Sequence, residues 1–177
     1  VNSCVYCGFR SDNCAEKRHV LTMEEVRRET EAVIDEGHKR LIAVYGEHPQ
    51  SDADYIADSM ATIYATKRVT PTGNGFNNIR RININAAPMS IENLRKLWRA
   101  GIGTYQVFQE TYHPGRYAEL HPANTIKGNF RWRLYAMHRA MDAGIDDVAI
   151  GALFGLYDWR FEVMGLVHHA HDLERQF

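Results

Sequence analysis

Apolar positions along the chain alternate between the spacing of an amphipathic helix and the spacing of a buried strand. Thr22, followed three residues later by Glu25, forms a capping-box pattern and predicts a helix that ends at Gly37. The continuous apolar run 41–45 comes next and predicts a strand buried on both faces. The same order of helix, glycine and strand recurs at two later glycines, Gly101 and Gly144. This repeat predicts a βα-repeat protein with a parallel sheet.

The remaining elements follow from the same periodicities. Further helices are predicted from Ser51, from Ser90, from Phe130 to Met141 and over 161–173, and further strands over 82–85, 104–108 and 147–151. The segments 71–75 and 109–128 are predicted to be connections without regular structure. A doubly wound sheet and a barrel both fit this alternation, and in both a ligand binds where strands end. The candidate site segments are therefore 46–48, 85–89, 109–113 and 151–156.

Composition narrows the class of protein. The 177 residues are 45% hydrophobic and 24% charged, which is typical of a globular domain and not of a disordered chain. A formal net charge of -1 predicts no nucleic-acid partner, and no apolar run approaches the ~20 residues of a membrane helix. Three cysteines cannot all pair with one another, so we expect a reducing, cytoplasmic location and no disulfide scaffold.

Two thiols stand close together near the start of the chain, in Cys4-Val5-Tyr6-Cys7. This spacing occurs in zinc sites, in redox dithiols and in iron–sulfur proteins. Cys14 and His19 are candidates for further ligands, although Cys14 is expected to be an incidental loop thiol. Spacing alone therefore predicts a thiolate loop beside a βα-repeat sheet and does not fix the metal.

Several segments together resemble one family. Cys4–Arg10 resembles the end of the radical S-adenosylmethionine (SAM) signature, Cys-x3-Cys-x2-Cys, including the aromatic residue before its last cysteine. Segment 105–113, YQVFQETYH, is similar to the tyrosine-cleaving branch of that superfamily. The segments that resemble the branch members maturing FeFe-hydrogenase are 45–49, 83–89 and 151–159. The resemblance covers essentially the whole chain and implies a partial TIM-type (βα) barrel of the radical SAM superfamily.

The resemblance also implies that 1–177 is a partial radical SAM core domain. Val1-Asn2-Ser3 matches the three variable residues of the signature, so its first cysteine would stand immediately before Val1. The last barrel strands and the family's C-terminal region, which carries an auxiliary iron–sulfur cluster, would also be absent. We expect this piece alone to be inactive.

By the same resemblance, Cys4 and Cys7 bind a 4Fe-4S cluster, and an open iron of that cluster chelates SAM. An electron from the reduced cluster then breaks the S–C5′ bond and releases a 5′-deoxyadenosyl radical. The residues implied to bind SAM are Tyr6 near the adenine, Gly46 and Glu47 near the amino group, and the charged side chains of Glu110 and Arg133. Asn85 and Gly151 are implied to approach the ribose or adenine. Tyr45 replaces the first glycine of the usual Gly-Gly-Glu, and Arg131 is the alternative to Arg133.

Gln109, Tyr112 and His113 are expected to face the same mouth and to line the substrate pocket, whereas His169 is expected to be structural. The implied reaction abstracts hydrogen from the amino group of tyrosine and cleaves Cα–Cβ, which gives p-cresol and dehydroglycine. The latter becomes CO and cyanide for the hydrogenase cluster. The implied partners are a ferredoxin or flavodoxin and other hydrogenase maturation proteins. The alternatives are a 2-iminoacetate synthase of thiamine biosynthesis and a non-catalytic metal-binding scaffold protein.

Overall fold

The fold is that of a computed structural model, which describes residues 2–177. Val1, part of the predicted signature, lies outside the described residues. In chain order the elements are α1 (Met23–Asp35), β1 (Arg40–Val44), α2 (Ala53–Ala65), β2 (Lys67–Val69), β3 (Phe76–Asn78), β4 (Arg81–Asn85), α3 (Ile91–Arg99), β5 (Tyr105–Gln106), α4 (Pro114–Leu120), the 3-10 helix η1 (Ile126–Gly128), α5 (Phe130–Leu134), α6 (Ala136–Asp142), β6 (Val148–Ala149) and α7 (Trp159–Gln176).

In the described part of the chain, four parallel strands form the main sheet, in the order β1-β4-β5-β6. Neighbours in this sheet follow each other along the chain, apart from the antiparallel hairpin β2–β3 that stands between β1 and β4. A doubly wound sheet reverses its strand order at one point, and no reversal occurs in the part of the chain that the structure describes. The sequential order is that of a (βα) barrel, so the predicted fold class is confirmed.

The core lies between one face of this sheet and the helices α1, α2, α3 and α6. Ile82 and Ile84 of β4 are fully buried against that helical layer. Alternate residues point to opposite faces of a strand, and on the other face Ile42 and Val44 of β1 are 55% and 73% exposed. The expectation that 41–45 is buried on both faces is therefore wrong, because the helices cover a single face of β1.

Local signals placed the helix ends correctly. Thr22 and Glu25 form both hydrogen bonds of the capping box at the start of α1. Gly37, Gly101 and Gly144 end their helices with φ between 82° and 102°. This left-handed backbone is the one that the helix–glycine–strand pattern predicts.

Several elements go beyond or differ from the sequence expectations. The segment 71–75 is a loop as predicted, but it is the turn of the hairpin β2–β3, whose two strands were not predicted. The polar connection 109–128 contains α4, which begins with Pro114 after the capping side chain of His113. The helix predicted from Phe130 is divided at Tyr135 into α5 and α6. The last helix begins at Trp159 because Asp158 caps it.

No helix in residues 2–177 combines the length and the apolar character needed to cross a membrane.

Candidate active site

The cysteine loop brings two thiols into one turn. The amide of Cys7 donates to the carbonyl of Cys4 at 3.1 Å, and Cys4 is 2% exposed whereas Cys7 is half-buried and Cys14 is exposed. Burial raises the pKa of the Cys4 thiol, and the positive charge of Lys127 opposes that rise. Two adjacent thiols match the ligand chemistry of an iron–sulfur cluster. Within residues 2–177 no group of three or more His, Cys, Asp or Glu side chains is placed to hold a metal ion, and the role of Cys4 and Cys7 as cluster ligands remains a prediction.

Tyr6, between the two cysteines, is fixed by a hydrogen bond to His121. The Tyr6 hydroxyl lies 2.7 Å from Nε2 of His121, and Nδ1 of His121 lies 2.8 Å from the carbonyl oxygen of Tyr117. A carbonyl oxygen accepts and cannot donate, so Nδ1 carries the proton and Nε2 accepts from Tyr6. Burial lowers the pKa of His121, which favours this neutral ring. The cysteine loop is therefore attached through Tyr6 to the end of α4.

A carboxylate with two cations forms the polar centre of the site. Oε1 of Glu110 lies 2.7 Å from Nζ of Lys127 and 3.0 Å from Nη2 of Arg133, and all three side chains are at most 15% exposed. Nε of Arg133 donates to the carbonyl of Phe108 at 2.7 Å, which fixes the plane of the guanidinium. Nζ of Lys127 also lies 5.9 Å from the centre of the Tyr6 ring. The structure thus brings Glu110, Arg133 and the cysteine loop together.

Lys127 was missed by the sequence analysis, as was His121. Neither residue belongs to a recognisable motif, because both lie in the polar segment 109–128, where no spacing or periodicity distinguishes them from solvated loop residues. Arg131, the alternative to Arg133, is exposed on the same short helix. The geometry therefore favours Arg133 over Arg131 as the partner of Glu110.

The backbone at Glu110 is strained. Glu110 has φ of 73°, and among residues 2–177 no other residue except glycine has a positive φ. This conformation costs about 1–3 kcal/mol, and it persists where the surroundings over-determine it. The carbonyl of Glu110 accepts from the amide of Leu153 at 2.7 Å, and the amide of Gln109 donates to the carbonyl of Gly151 at 2.8 Å. Strain of this kind is typical of functional sites.

A cleft of about 440 Å³ opens at the carboxyl ends of β1 and β4. Gly46 and Glu47 line it, together with residues 86–89 after β4 and residues 124–126. Asn2, from the cysteine loop, donates a hydrogen bond to the carboxylate of Glu47. A Cβ atom on Gly46 would meet no atom of residues 2–177 within 4 Å, so these residues leave the cleft open at this position. Its volume is within the range of small-molecule sites.

Asn85 and Gly151 have structural surroundings that explain them without a ligand. Asn85 is the last residue of β4 and pairs with Val44 and Gln106 in the sheet. A Cβ atom on Gly151 would lie 2.6 Å from Cδ1 of Phe108, so packing alone requires glycine there. Their contact with a cofactor remains a prediction.

The three residues predicted to line a substrate pocket have different surroundings. Gln109 is 2% exposed, and neither of its amide atoms has a hydrogen-bond partner among residues 2–177. The hydroxyl of Tyr112 lies 2.8 Å from Nδ1 of His169 on α7, and the pair is buried. His113 caps α4 and stacks on Tyr157 with ring centres 4.1 Å apart. These contacts do not bring the three side chains to a common mouth, and their substrate role remains a prediction.

Comparison with known proteins decides the family. The family model described as the radical SAM superfamily matches residues 1–164. The chain belongs to the radical SAM superfamily. Enzymes of this superfamily use a 4Fe-4S cluster and SAM. The pair of thiols at Cys4 and Cys7 and the charged group around Glu110 agree with such cofactors.

Two solved structures and one curated protein illustrate where this radical SAM chain lies in the superfamily. A crystal structure of HydG, a maturase of the [FeFe]-hydrogenase, superposes with TM-score 0.92 and 49% identity over 100% of this chain and 38% of its own. The FeFe-hydrogenase maturase HydG from Carboxydothermus hydrogenoformans gives 0.90 and 41% over 100% of this chain and 39% of its own. The 2-iminoacetate synthase of Salmonella typhimurium is 33% identical over 99% of this chain and 44% of its own. The radical SAM chain therefore spans less than half the length of each of these relatives.

Proposed function

We propose that this chain is the core of a radical SAM tyrosine lyase that cleaves tyrosine to p-cresol and dehydroglycine. The lyase then supplies CO and cyanide for the active-site cluster of FeFe-hydrogenase. The observation that carries this proposal is the identity of 49% and 41% to two HydG chains over the full 177 residues. The identity to the 2-iminoacetate synthase is lower, at 33% over almost the same span.

The chemistry of the site supports the proposal. Cys4 and Cys7 would hold two irons of the cluster, with a third thiolate from outside residues 2–177. When bound and reduced, the cluster supplies the electron that cleaves SAM to the 5′-deoxyadenosyl radical. Arg133 presents a planar, permanently charged guanidinium to the carboxylate of SAM, and Glu110 presents acceptor oxygens to its ammonium or ribose hydroxyl groups. Gly46 and Glu47 would contact the methionine part of SAM in the adjoining cleft.

Tyr6 and Lys127 complete this assignment. The bond to His121 holds the Tyr6 ring in one orientation, suited to packing against adenine. Lys127 neutralises Glu110 together with Arg133, and its flexible stem would allow it to give way to a ligand ammonium. Asn85 and Gly151 would approach the ribose or adenine, and Gln109, whose buried amide has no hydrogen-bond partner among residues 2–177, would serve the tyrosine substrate.

The whole enzyme is proposed to be longer than this partial core. It would include the remaining barrel strands and a C-terminal region with an auxiliary iron–sulfur cluster. A ferredoxin or flavodoxin would reduce it in the cytoplasm, and other hydrogenase maturation proteins would receive its products. The chain spans 38% and 39% of the two HydG chains, which leaves room for these parts.

A 2-iminoacetate synthase is the second candidate. The identity of 33% over 99% of the chain to the Salmonella enzyme favours it. Both candidates share tyrosine cleavage, and they differ in the fate of the dehydroglycine. Membership of an enzyme superfamily argues against the third alternative, a non-catalytic metal-binding scaffold protein.

Product analysis separates the candidates. The longer protein, loaded anaerobically with iron and sulfide, is incubated with SAM, dithionite and tyrosine, and p-cresol, CO and cyanide are quantified. Formation of p-cresol with CO and cyanide supports the hydrogenase role. Formation of p-cresol without either diatomic supports the synthase, and absence of p-cresol contradicts both.

A further inference from the structure

A fully buried carboxylate on α7 holds the segment that follows Glu110. Oε2 of Glu162 accepts from the backbone amide of Tyr112 at 2.8 Å, and Oε1 accepts from the hydroxyl of Thr111. Glu162 and Thr111 are both 0% exposed. The two residues directly after the strained Glu110 are therefore joined to one side chain of a helix 50 residues away.

Thr111 extends this connection by one more residue. Its hydroxyl oxygen accepts from the amide of His113 at 3.2 Å while its proton goes to Glu162. A hydroxyl can donate and accept at once, so the three groups form a continuous chain of hydrogen bonds. The consecutive amides of Tyr112 and His113 are thus tied to Glu162, one directly and one through Thr111.

The rest of the same helical face fixes Tyr112. Residues three and four apart share one face of a helix, and Gly165 and His169 lie on the face of Glu162. A Cβ atom on Gly165 would lie 2.5 Å from Cγ of Tyr112, so the helix backbone packs directly against that ring. Nδ1 of His169 bonds to the Tyr112 hydroxyl at 2.8 Å. This face of α7 therefore packs directly against Tyr112 and holds its side chain in one position.

The free-energy cost of burying a carboxylate indicates that Glu162 does more than fill space in the core. Taking a carboxylate out of water costs several kcal/mol, and both partners of Glu162 are neutral donors that recover part of that cost. The turn that Glu162 holds contains the strained φ of Glu110, which needs surrounding contacts to persist. Without Glu162, the amide of Tyr112 and the hydroxyl of Thr111 lose their acceptor, and the turn that carries Glu110 loses part of its support.

We propose that Glu162 is a positioning residue for SAM binding, acting through Thr111 on the orientation of Glu110. This inference rests on the proposed assignment of Glu110 to SAM. Glu162 touches neither the cluster loop nor Arg133 in its described contacts, so its effect passes through the backbone of residues 110–112.

The test compares isosteric variants of the cluster-loaded longer protein. Thr111→Val removes the hydroxyl and keeps the shape, Thr111→Ser restores the hydroxyl, and Glu162→Gln replaces one acceptor oxygen by a donor that opposes the Tyr112 amide or the Thr111 proton. Thr30→Val is the matched control, because Thr30 is 3% exposed and its hydroxyl bonds only within α1, to Val26. The Kd of SAM is measured by equilibrium dialysis and the Tm by circular dichroism.

We expect Thr111→Val and Glu162→Gln to raise the Kd of SAM at least tenfold, and Thr111→Ser to remain within threefold of the wild type. Thr30→Val should lower the Tm without moving the Kd beyond twofold. An unchanged Kd in Thr111→Val and Glu162→Gln, or an equal rise in Thr30→Val, overturns the positioning role. Glu110→Gln serves as the reference: if it leaves the Kd unchanged, the proposed SAM site itself is contradicted.

Discussion

Nη2 of Arg133 lies 3.0 Å from Oε1 of Glu110, although the two residues are 23 positions apart in the chain. The pair joins the segment that follows β5 to α5 and is nearly buried, since the two side chains are 10% and 12% exposed. Because Arg133 also donates to the Phe108 carbonyl, its guanidinium is held in one orientation. A preformed guanidinium with an adjacent carboxylate suits a zwitterionic amino-acid group such as the methionine end of SAM.

Replacement of Arg133 tests this centre. A bond to a charged group contributes about 1.5–3 kcal/mol, so Arg133→Ala should raise the Kd of SAM roughly 10- to 100-fold. Arg133→Lys should recover little, because an ammonium cannot hold Phe108 and a carboxylate in one plane. Arg131→Ala is the matched control on the same helix, and equilibrium dialysis of all three variants measures the effect. An equal loss in Arg131→Ala would contradict the assignment.

The three cysteines should separate into two classes. Cys4→Ala and Cys7→Ala should each remove the SAM-responsive 4Fe-4S signal from the electron paramagnetic resonance spectrum of the reduced protein. Cys14 is exposed, and its thiol bonds weakly to the nearby carbonyl of Asp12 at 3.8 Å, so Cys14→Ala should keep the signal. Retention of the signal in Cys4→Ala would show that another residue supplies the ligand.

Local chemistry made part of this structure predictable. The capping box at Thr22 and the glycine at 37 each act within a few residues, and both were confirmed. The exposure of Val44 was not predictable, because it depends on which elements cover the second face of the sheet. The hairpin β2–β3 was missed because its strands have three residues each, too few to show alternation.

The site residues also divide into those that the sequence predicted and those that only the structure revealed. The cysteines and Glu110 were found through motifs, whereas Lys127 and His121 reach the site through a loop whose path no periodicity encodes. Tyr112 was expected at the mouth because segment 109–113 follows a predicted strand. Its hydroxyl lies 2.8 Å from Nδ1 of His169, because α7 packs against this segment. Long-range packing of this kind leaves no pattern in a single sequence.

Acid should destabilise the protein through His169. Burial, followed by the nearby His138, lowers the pKa of His169 from 6.5 to about 4, and Asp172 opposes the shift. Between these values the unfolded chain binds a proton that the folded chain excludes, so stability is complete above pH 6.5 and falls as the pH decreases toward 4. The loss at pH 4.5 should be about 2 kcal/mol, measured by urea unfolding.

The control for this prediction is the neighbouring histidine. His169→Asn keeps a nitrogen or oxygen near the position of Nδ1 and should flatten the pH dependence of the unfolding free energy. His168 is exposed, so His168→Asn should leave the slope as in the wild type. A slope that His169→Asn does not change would assign the acid sensitivity to another group.

Two glycines near the site should respond in opposite ways. A methyl group on Gly151 meets the Phe108 ring, so Gly151→Ala should destabilise the protein by about 1–3 kcal/mol. A methyl group on Gly46 enters open space, so Gly46→Ala should leave the Tm within 2 °C and weaken SAM binding in the cleft. Thermal unfolding and SAM dialysis of both variants provide the measurements. Equal destabilisation by the two would contradict the packing described for Gly151.

Product formation from tyrosine tests the central claim most directly. The longer protein, reconstituted anaerobically, is supplied with SAM, dithionite and ring-labelled tyrosine, and labelled p-cresol and 5′-deoxyadenosine are quantified by mass spectrometry beside the Cys4→Ala/Cys7→Ala double variant. The account predicts both products from the wild type and neither from the double variant. A protein that cleaves SAM without releasing p-cresol, or a double variant that still forms it, would contradict the account.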